Sequence, residues 1–274
     1  MGVSKQNKTY ASRYKTDVSV SQTSNVGFDS TTRVLCSGDG ADSALSLSDD
    51  VLSVQPVNDD TTGTMLVKNN AGNNILAVDT TNSKVLLGAS QVPPTNYAHF
   101  GISSIGDAGF SNDIHYAIPV GYVSGVGLTS IANLSLGSST SSSFNDTNPA
   151  TSLTISSTAH DVVQVYWYVM DDITIDAVKW FHAADTATGE DTAAHLMAYT
   201  VDIANGSTGG DLSSGAVVAD GATITNAGYE QIYYQSMTIQ SADVDAGKVI
   251  LFTFASSAVN SDYSLNCSVK YHIR

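Results

Sequence analysis

Positive charge is nearly missing from the middle of this sequence: no Lys or Arg occurs between Lys84 and Lys179. Charged residues make up only 14 % of the 274 positions, and the acids outnumber the bases 26 to 11, for a net charge of −15. So acidic a chain argues against nucleic-acid binding, because phosphate contacts require clustered Lys and Arg. Cysteine is limited to Cys36 and Cys267, with no C-x-x-C pair, which removes zinc knuckles and dithiol redox motifs. Two reduced thiols are the simpler reading, ahead of a disulfide between the two ends. No stretch approaches the roughly 20 apolar residues of a membrane span. No apolar h-region opens the chain. The expectation is a soluble protein made in the cytoplasm without secretion. Runs of Glu, Lys, Leu and Arg at helical spacing are also missing, which leaves little from which to build helices.

What replaces charge is Ser, Thr, Asn and Gly, with 42 % hydrophobic residues to fill a core. Ser, Asn and Gly serve turns, while Thr and Val serve strands, so the composition predicts an all-β fold. Residues 1–30 are polar and basic, then rich in Ser and Thr, with no amphipathic period. They read either as a frayed terminus or as an extended arm that orders on a larger assembly. Residues 31–90 alternate short apolar runs with turn signals, such as Asn69-Asn70-Ala71-Gly72-Asn73-Asn74 between Met65–Lys68 and Ile75–Val78. Strands of about four residues cannot bury both faces of a sheet in one chain. This segment therefore needs a partner, and copies of itself are the simplest one. Residues 91–110 read as a linker, with Pro93-Pro94 followed by recurring Gly and Ser.

Residues 111–274 carry longer strands. Val162–Val169 is apolar on both faces and reads as a sandwich-core strand. Ile173, Ile175 and Ala177 alternate with polar neighbours, and Lys248–Phe254 is a second core strand. The last strand sets Tyr263, Leu265, Cys267, Val269, Tyr271 and Ile273 against Ser264, Asn266, Ser268, Lys270 and His272. Strands at this spacing predict a β-sandwich of jelly-roll type.

Chemistry-bearing residues are present, but none forms a recognised catalytic motif. His182 and His195 flank a loop holding Asp185 and Asp191, which could complete a metal site; surface histidines beside a polar loop are the plainer reading. Asp171-Asp172 and Asn58-Asp59-Asp60 could offer oxygens to calcium, but turn chemistry explains both. Glycoside hydrolysis requires paired carboxylates. The only glutamates are Glu190 and Glu230, and Glu230 beside Tyr229, Tyr233 and Tyr234 is the one candidate general acid. A rim position on a sandwich strand is much the plainer reading. No G-x-S-x-G elbow or phosphate-binding loop occurs. The expectation is no enzyme and no cofactor. The aromatic set Tyr166, Trp167, Tyr168, Trp180, Phe181, Tyr229, Tyr233 and Tyr234 could include a glycan or partner surface, with Trp180, Tyr229 and Tyr233 as its first candidates, although core filling is the plainer reading for most of the set.

Several segments resemble the fibre, spike and capsid-decoration proteins of tailed phages of the marine, cyanophage-like kind. Met65–Gly88, M-L-V-K-N-N-A-G-N-N-I-L-A-V-D-T-T-N-S-K-V-L-L-G, carries their strand, N-x-x-G, strand, V-D-T-x-N-x-K-V-x-x-G pattern. Asp39–Ser48, Asp176–Asp185, Ala227–Ser236 and Asn260–His272 are similar to the same class. The resemblance implies a homotrimer with an intertwined 31–90 stalk and an outward-facing knob over 111–274. It implies that the basic arm attaches to tail or capsid, with Lys5, Lys8, Tyr10, Arg13, Tyr14 and Lys15 as its anchoring residues. A tail fibre or spike is the first expectation and a cement protein of the shell the second. A polysaccharide-degrading spike enzyme comes third. Expected partners are other virion proteins and a host-surface glycan or receptor, with no nucleic acid and no membrane insertion.

Overall fold

A computed structural model describes residues 18–20, 28–38, 40–88, 93–105, 111–123, 135–136, 149–155, 162–185, 189–204, 209–258 and 263–274. The chain divides into two units, Met1–Pro94 and Thr95–Arg274. The named elements formed by the described residues are all strands.

The first unit holds two small antiparallel sheets. One runs in the order β1 (Val18–Val20), β2 (Arg33–Ser37), β3 (Asp42–Leu47), β4 (Leu52–Val54). The other is β5 (Met65–Lys68), β6 (Asn74–Asp79), β7 (Lys84–Leu87). Its turns are closed by side chains, as the Asn and Asp clusters predict. Asn69 Oδ1 accepts from the backbone N–H groups of Ala71 and Asn73, each at 3.0 Å, and Gly72 takes a φ of +86°. Asp79 accepts from Asn82 N at 2.9 Å and Asn82 Nδ2 at 2.8 Å, and these bonds hold its carboxyl below its ordinary pKa. Asp29 grips Arg33 through two bonds of 2.6 and 2.7 Å. The unit has ordered turns but no core: among its described residues, only Ala77 and Asp79 are buried.

The second unit is a double-sheet sandwich. One sheet has the order β8 (Asn96–Ile105), β20 (Tyr263–Ile273), β12 (Ile173–Ala184), β16 (Gln231–Ser236). The other runs β9 (Tyr116–Ile118), β19 (Lys248–Ser256), β13 (Asp191–Val201), β14 (Leu212–Asp220). Of the steps between consecutive members, only β13 to β14 stays within one sheet; every other step crosses. That connectivity is the eight-stranded jelly roll. Short strands extend it: β10 (Gly121–Val123) on β8, β11 (Trp167–Tyr168) on β19, β15 (Ile224–Thr225) on β13, β17 (Thr238–Ile239) on β14 and β18 (Asp243–Val244) on β12. Phe100, Ile102, Val178, Trp180, Leu196, Phe252, Phe254, Leu265 and Cys267 fill the space between the sheets. Neither Cys36 nor Cys267 is in a disulfide, and burial pushes the Cys267 thiol up.

Three boundaries differ from the sequence reading. The sandwich begins inside the expected linker, because Phe100 and Ile102 of β8 alternate into the core despite their Gly and Ser neighbours. Val162–Val169 is not a core strand. Val162–Val165 is a turn closed by Val165 N to Val162 O at 3.1 Å, and only Trp167–Tyr168 pairs, with β19. The apolar residues of that run are explained by a second layer. Leu136, Val162 and Val165 pack with Met197, Tyr199 and Leu251 on the outer face of the β9-β19-β13-β14 sheet. That sheet is therefore covered on both faces, which is why β19 is buried along nearly its whole length. The alternation of β20 holds through Val269, but at its end His272 is buried against Asp176 while Ile273 is exposed.

Gly215 shows how tightly the second layer is built. A Cβ there would overlap the Tyr199 ring and lie 3.0 Å from Thr151 Cα. Gly215→Ala is expected to destabilise the sandwich by about 1–3 kcal/mol, the cost of overpacking. A shift of the urea midpoint at unchanged slope measures it.

Candidate interaction surface

Among the described residues of the sandwich unit, two polar groupings are built around fully buried histidines. In the first, His182 Nε2 meets Asn226 Oδ1 at 2.9 Å and Asn226 Nδ2 donates to Tyr263 Oη at 3.0 Å. The Tyr263 hydroxyl donates to Glu190 Oε2. The His182 ring lies between Trp180 at 4.9 Å and Tyr233 at 4.8 Å, both stacked. In the second, His115 and His195 meet edge to face at 4.9 Å, and His195 Nε2 lies 3.1 Å from Asp220 Oδ1. Burial lowers the His115 pKa to about 3, with His195 adding to the shift. Burial likewise lowers that of His182 to about 4, against the opposing bond to Asn226. Both imidazoles are therefore neutral at pH 7.

These contacts correct the sequence reading of the histidines. His182 and His195 are fully buried, not surface groups, and their ring neighbours differ: Trp180, Tyr233, Phe254 and Tyr263 for His182, and His115 for His195. No group of three or more His, Cys, Asp or Glu placed to hold a metal ion occurs among the described residues. Asp172 is engaged in turn chemistry, accepting from Ala246 N at 2.8 Å. Glu190 lies in the interior and Glu230 is exposed, so the two glutamates do not share a cleft.

The accessible surface with chemical character is the outer face of the β8-β20-β12-β16 sheet. Strand register arranges it in rows. Lys179 is flanked by Ser236 and Ser268, and Ser268 Oγ meets His99 Nδ1 at 3.0 Å. In the next row Phe181 lies between Tyr234 and Asn266, and beyond Asn266 comes Gly101. The Phe181 and Tyr234 rings are 4.8 Å apart and tilted by 40°. In the third row Ala183 lies between Ile232 and Ser264. Phe181 is 45 % exposed, Tyr234 50 % and Ile232 75 %, values expected of rim or contact residues and not of a core.

Two depressions open along these rows. One of about 420 Å³ is walled by Asp185, Glu230, Gln231, Ile232 and Ser264. The other, about 240 Å³, shares Ala183, Ile232 and Ser264 with it and extends to Phe181 and Asn266. Glu230 holds a φ of +50° at the lip, a left-handed conformation that a side-chain-bearing residue adopts at a cost. A further cleft of about 450 Å³ lies behind the other sheet, beside Tyr166, Tyr168, Val201 and Ile203. Two of its polar side chains are engaged: Tyr166 Oη donates to Gly210 O, and Asp202 Oδ1 accepts from Ala204 N.

The structure separates the three aromatics singled out in the sequence. Trp180 is not a surface residue. It is fully buried, with Nε1 donating to Gln235 Oε1 at 3.2 Å. Tyr233 is half-buried, its ring on His182 and its hydroxyl between Ala227 N and Gln231 Oε1. Tyr229 is exposed, next in sequence to Glu230. Of the wider aromatic set, Phe181 and Tyr234 lie on this surface, and Ile232 is the aliphatic group beside them that the sequence choice missed. The signal that locates them is Lys179, a charge two residues from Phe181 that marks the solvent face of β12. The proposed anchoring residues Lys5, Lys8, Tyr10, Arg13, Tyr14 and Lys15 lie outside the described residues.

No protein-family model matches the chain, and no curated protein matches it. Among solved structures, a chain of the T13 IBDV viral particle aligns at 10 % identity with a TM-score of 0.17. The alignment covers 82 % of this chain and 48 % of that one, so this chain spans about half of its length. A likeness at that score carries no weight for fold or function.

Proposed function

We propose that the chain is a homotrimeric, non-enzymatic structural protein of a tailed-phage virion, a fibre or spike whose sandwich unit faces outward. One observation supports the oligomer most directly. In the β5-β6-β7 sheet, Met65, Val78 and Val85 are aligned across the strands, as are Val67, Leu76 and Leu87. These six apolar side chains share one face, and none is buried. Burying such a side chain contributes about 1.5–3 kcal/mol. A contiguous apolar face of this kind marks an association surface. A second and third copy of the same sheet supply a matching apolar surface. The number three and the virion context rest on the resemblance of Met65–Gly88 and the C-terminal segments to phage fibre and spike proteins.

Light scattering on the purified chain at micromolar concentration is expected to give three times 28.6 kDa. Val67→Asp with Leu87→Asp is expected to give the single-chain mass with the sandwich still folded. A wild-type monomer would defeat the oligomer. Antibody labelling of intact particles tests the location. Tail labelling fits the fibre, shell labelling replaces it with the cement reading, and no labelling removes the virion assignment.

A further inference from the structure

We infer that the outer face of the β8-β20-β12-β16 sheet, centred on Phe181, Tyr234 and Glu230, is a binding site for a neutral saccharide. The inference rests on the reading of the sandwich unit as the outward-facing part, and it names what that part contacts. A sugar ring has an apolar C–H face and a rim of hydroxyls. The rows of this sheet present the complement in the same order. The Phe181 and Tyr234 rings form an exposed platform at their 4.8 Å spacing. Aromatic rings of this kind contribute contact area without long flexible stems to immobilise. Asn266 and Ser264 stand on the adjacent strand in register with Phe181 and Ala183. Both can donate to and accept from hydroxyls.

The depression beside the platform ends in the carboxylates of Asp185 and Glu230. Carboxylates accept strong hydrogen bonds from hydroxyl groups. They also repel anionic ligands, as does the net charge of −15, which disfavours acidic sugars. Ser264 and Asn266 interrupt the apolar area with a hydroxyl and an amide, which suits a ligand with a rim of hydroxyls. A site with a few convergent polar groups around an apolar floor is what a small ligand needs.

Calorimetric titration of the full chain tests this, with soluble cello-, malto- and N-acetylchito-oligosaccharides as neutral probes and oligogalacturonate as the anionic one. At least one neutral series is expected to bind. Phe181→Ala and Glu230→Gln are each expected to weaken it about tenfold, at unchanged mass and melting temperature. No neutral probe binding at millimolar concentration would overturn the site. So would binding that survives Phe181→Ala undiminished, or binding of oligogalacturonate alone, which would move the ligand to Lys179. A monomer that binds a neutral sugar defeats the trimer and keeps this site; a trimer that binds none does the reverse.

Discussion

Between pH 7 and pH 5 the sandwich unit is expected to lose about 4 kcal/mol of stability, roughly 2 kcal/mol from each of His115 and His182. Burial holds the native pKa of His115 at about 3 and that of His182 at about 4, against 6.5 for a free imidazole. Between those values and 6.5 the unfolded chain binds protons that the native state refuses. Stability therefore falls as the pH drops through 6.5, and the loss levels off only near pH 3–4. Urea unfolding at pH 7 and pH 5 measures it, and His115→Phe is expected to remove about half of the difference. The same loss in the variant as in the wild type would show that His115 is protonated in the native state. The orphaned state of the ring supports the sign. His115 is fully buried, and neither of its nitrogens has a hydrogen-bond partner. A charge there would be unsolvated except for the neighbouring His195 and Asp220.

Trp180→Ala is expected to cost about 3–5 kcal/mol, whereas Phe181→Ala, one residue away, is expected to stay within about 0.5 kcal/mol. Trp180 is fully buried against Phe252, at 6.2 Å, and Phe254, at 5.9 Å. Phe181 is 45 % exposed on the opposite face of the same strand. Denaturant midpoints of the two variants measure the contrast. Equal losses would mean that the face assignment of β12 is wrong.

That pair also shows where the sequence stopped being readable. Ile173, Ile175 and Ala177 alternate, and the same parity carried forward would point Trp180 outward. The register between β12 and β20 shifts between Ile175 and Ala177. Past this bulge Val178, Trp180, His182 and Ala184 are the buried set. One extra residue exchanges the two faces of everything after it. Alternation alone does not reveal such a step; Lys179, at a position the unshifted pattern would bury, does. The all-β class, the turns at Asn69 and Asp79 and the jelly-roll type were legible, because composition and period carry them. The second layer behind β13 and β19 was not. Its apolar run, Val162–Val169, has the same composition as a buried strand, and periodicity cannot tell a strand from a covering turn. The buried histidines escaped for a related reason: each gains its place from residues more than 40 positions away, such as Asn226 for His182.

The two sheets of the sandwich differ in how many of their faces are covered, and that difference sets how freely each can change. On β13 and β19 nearly every side chain, odd or even, meets a packed neighbour. A substitution there must suit the core or the covering layer, whichever face it lands on. On β8, β12, β16 and β20 one face is open, so its residues can be exchanged while the other face keeps its contacts. The molecule therefore holds its packed faces and its open face on separate sets of residues within the same strands. The chemistry of the open face can diversify by single substitutions without passing through an unstable intermediate.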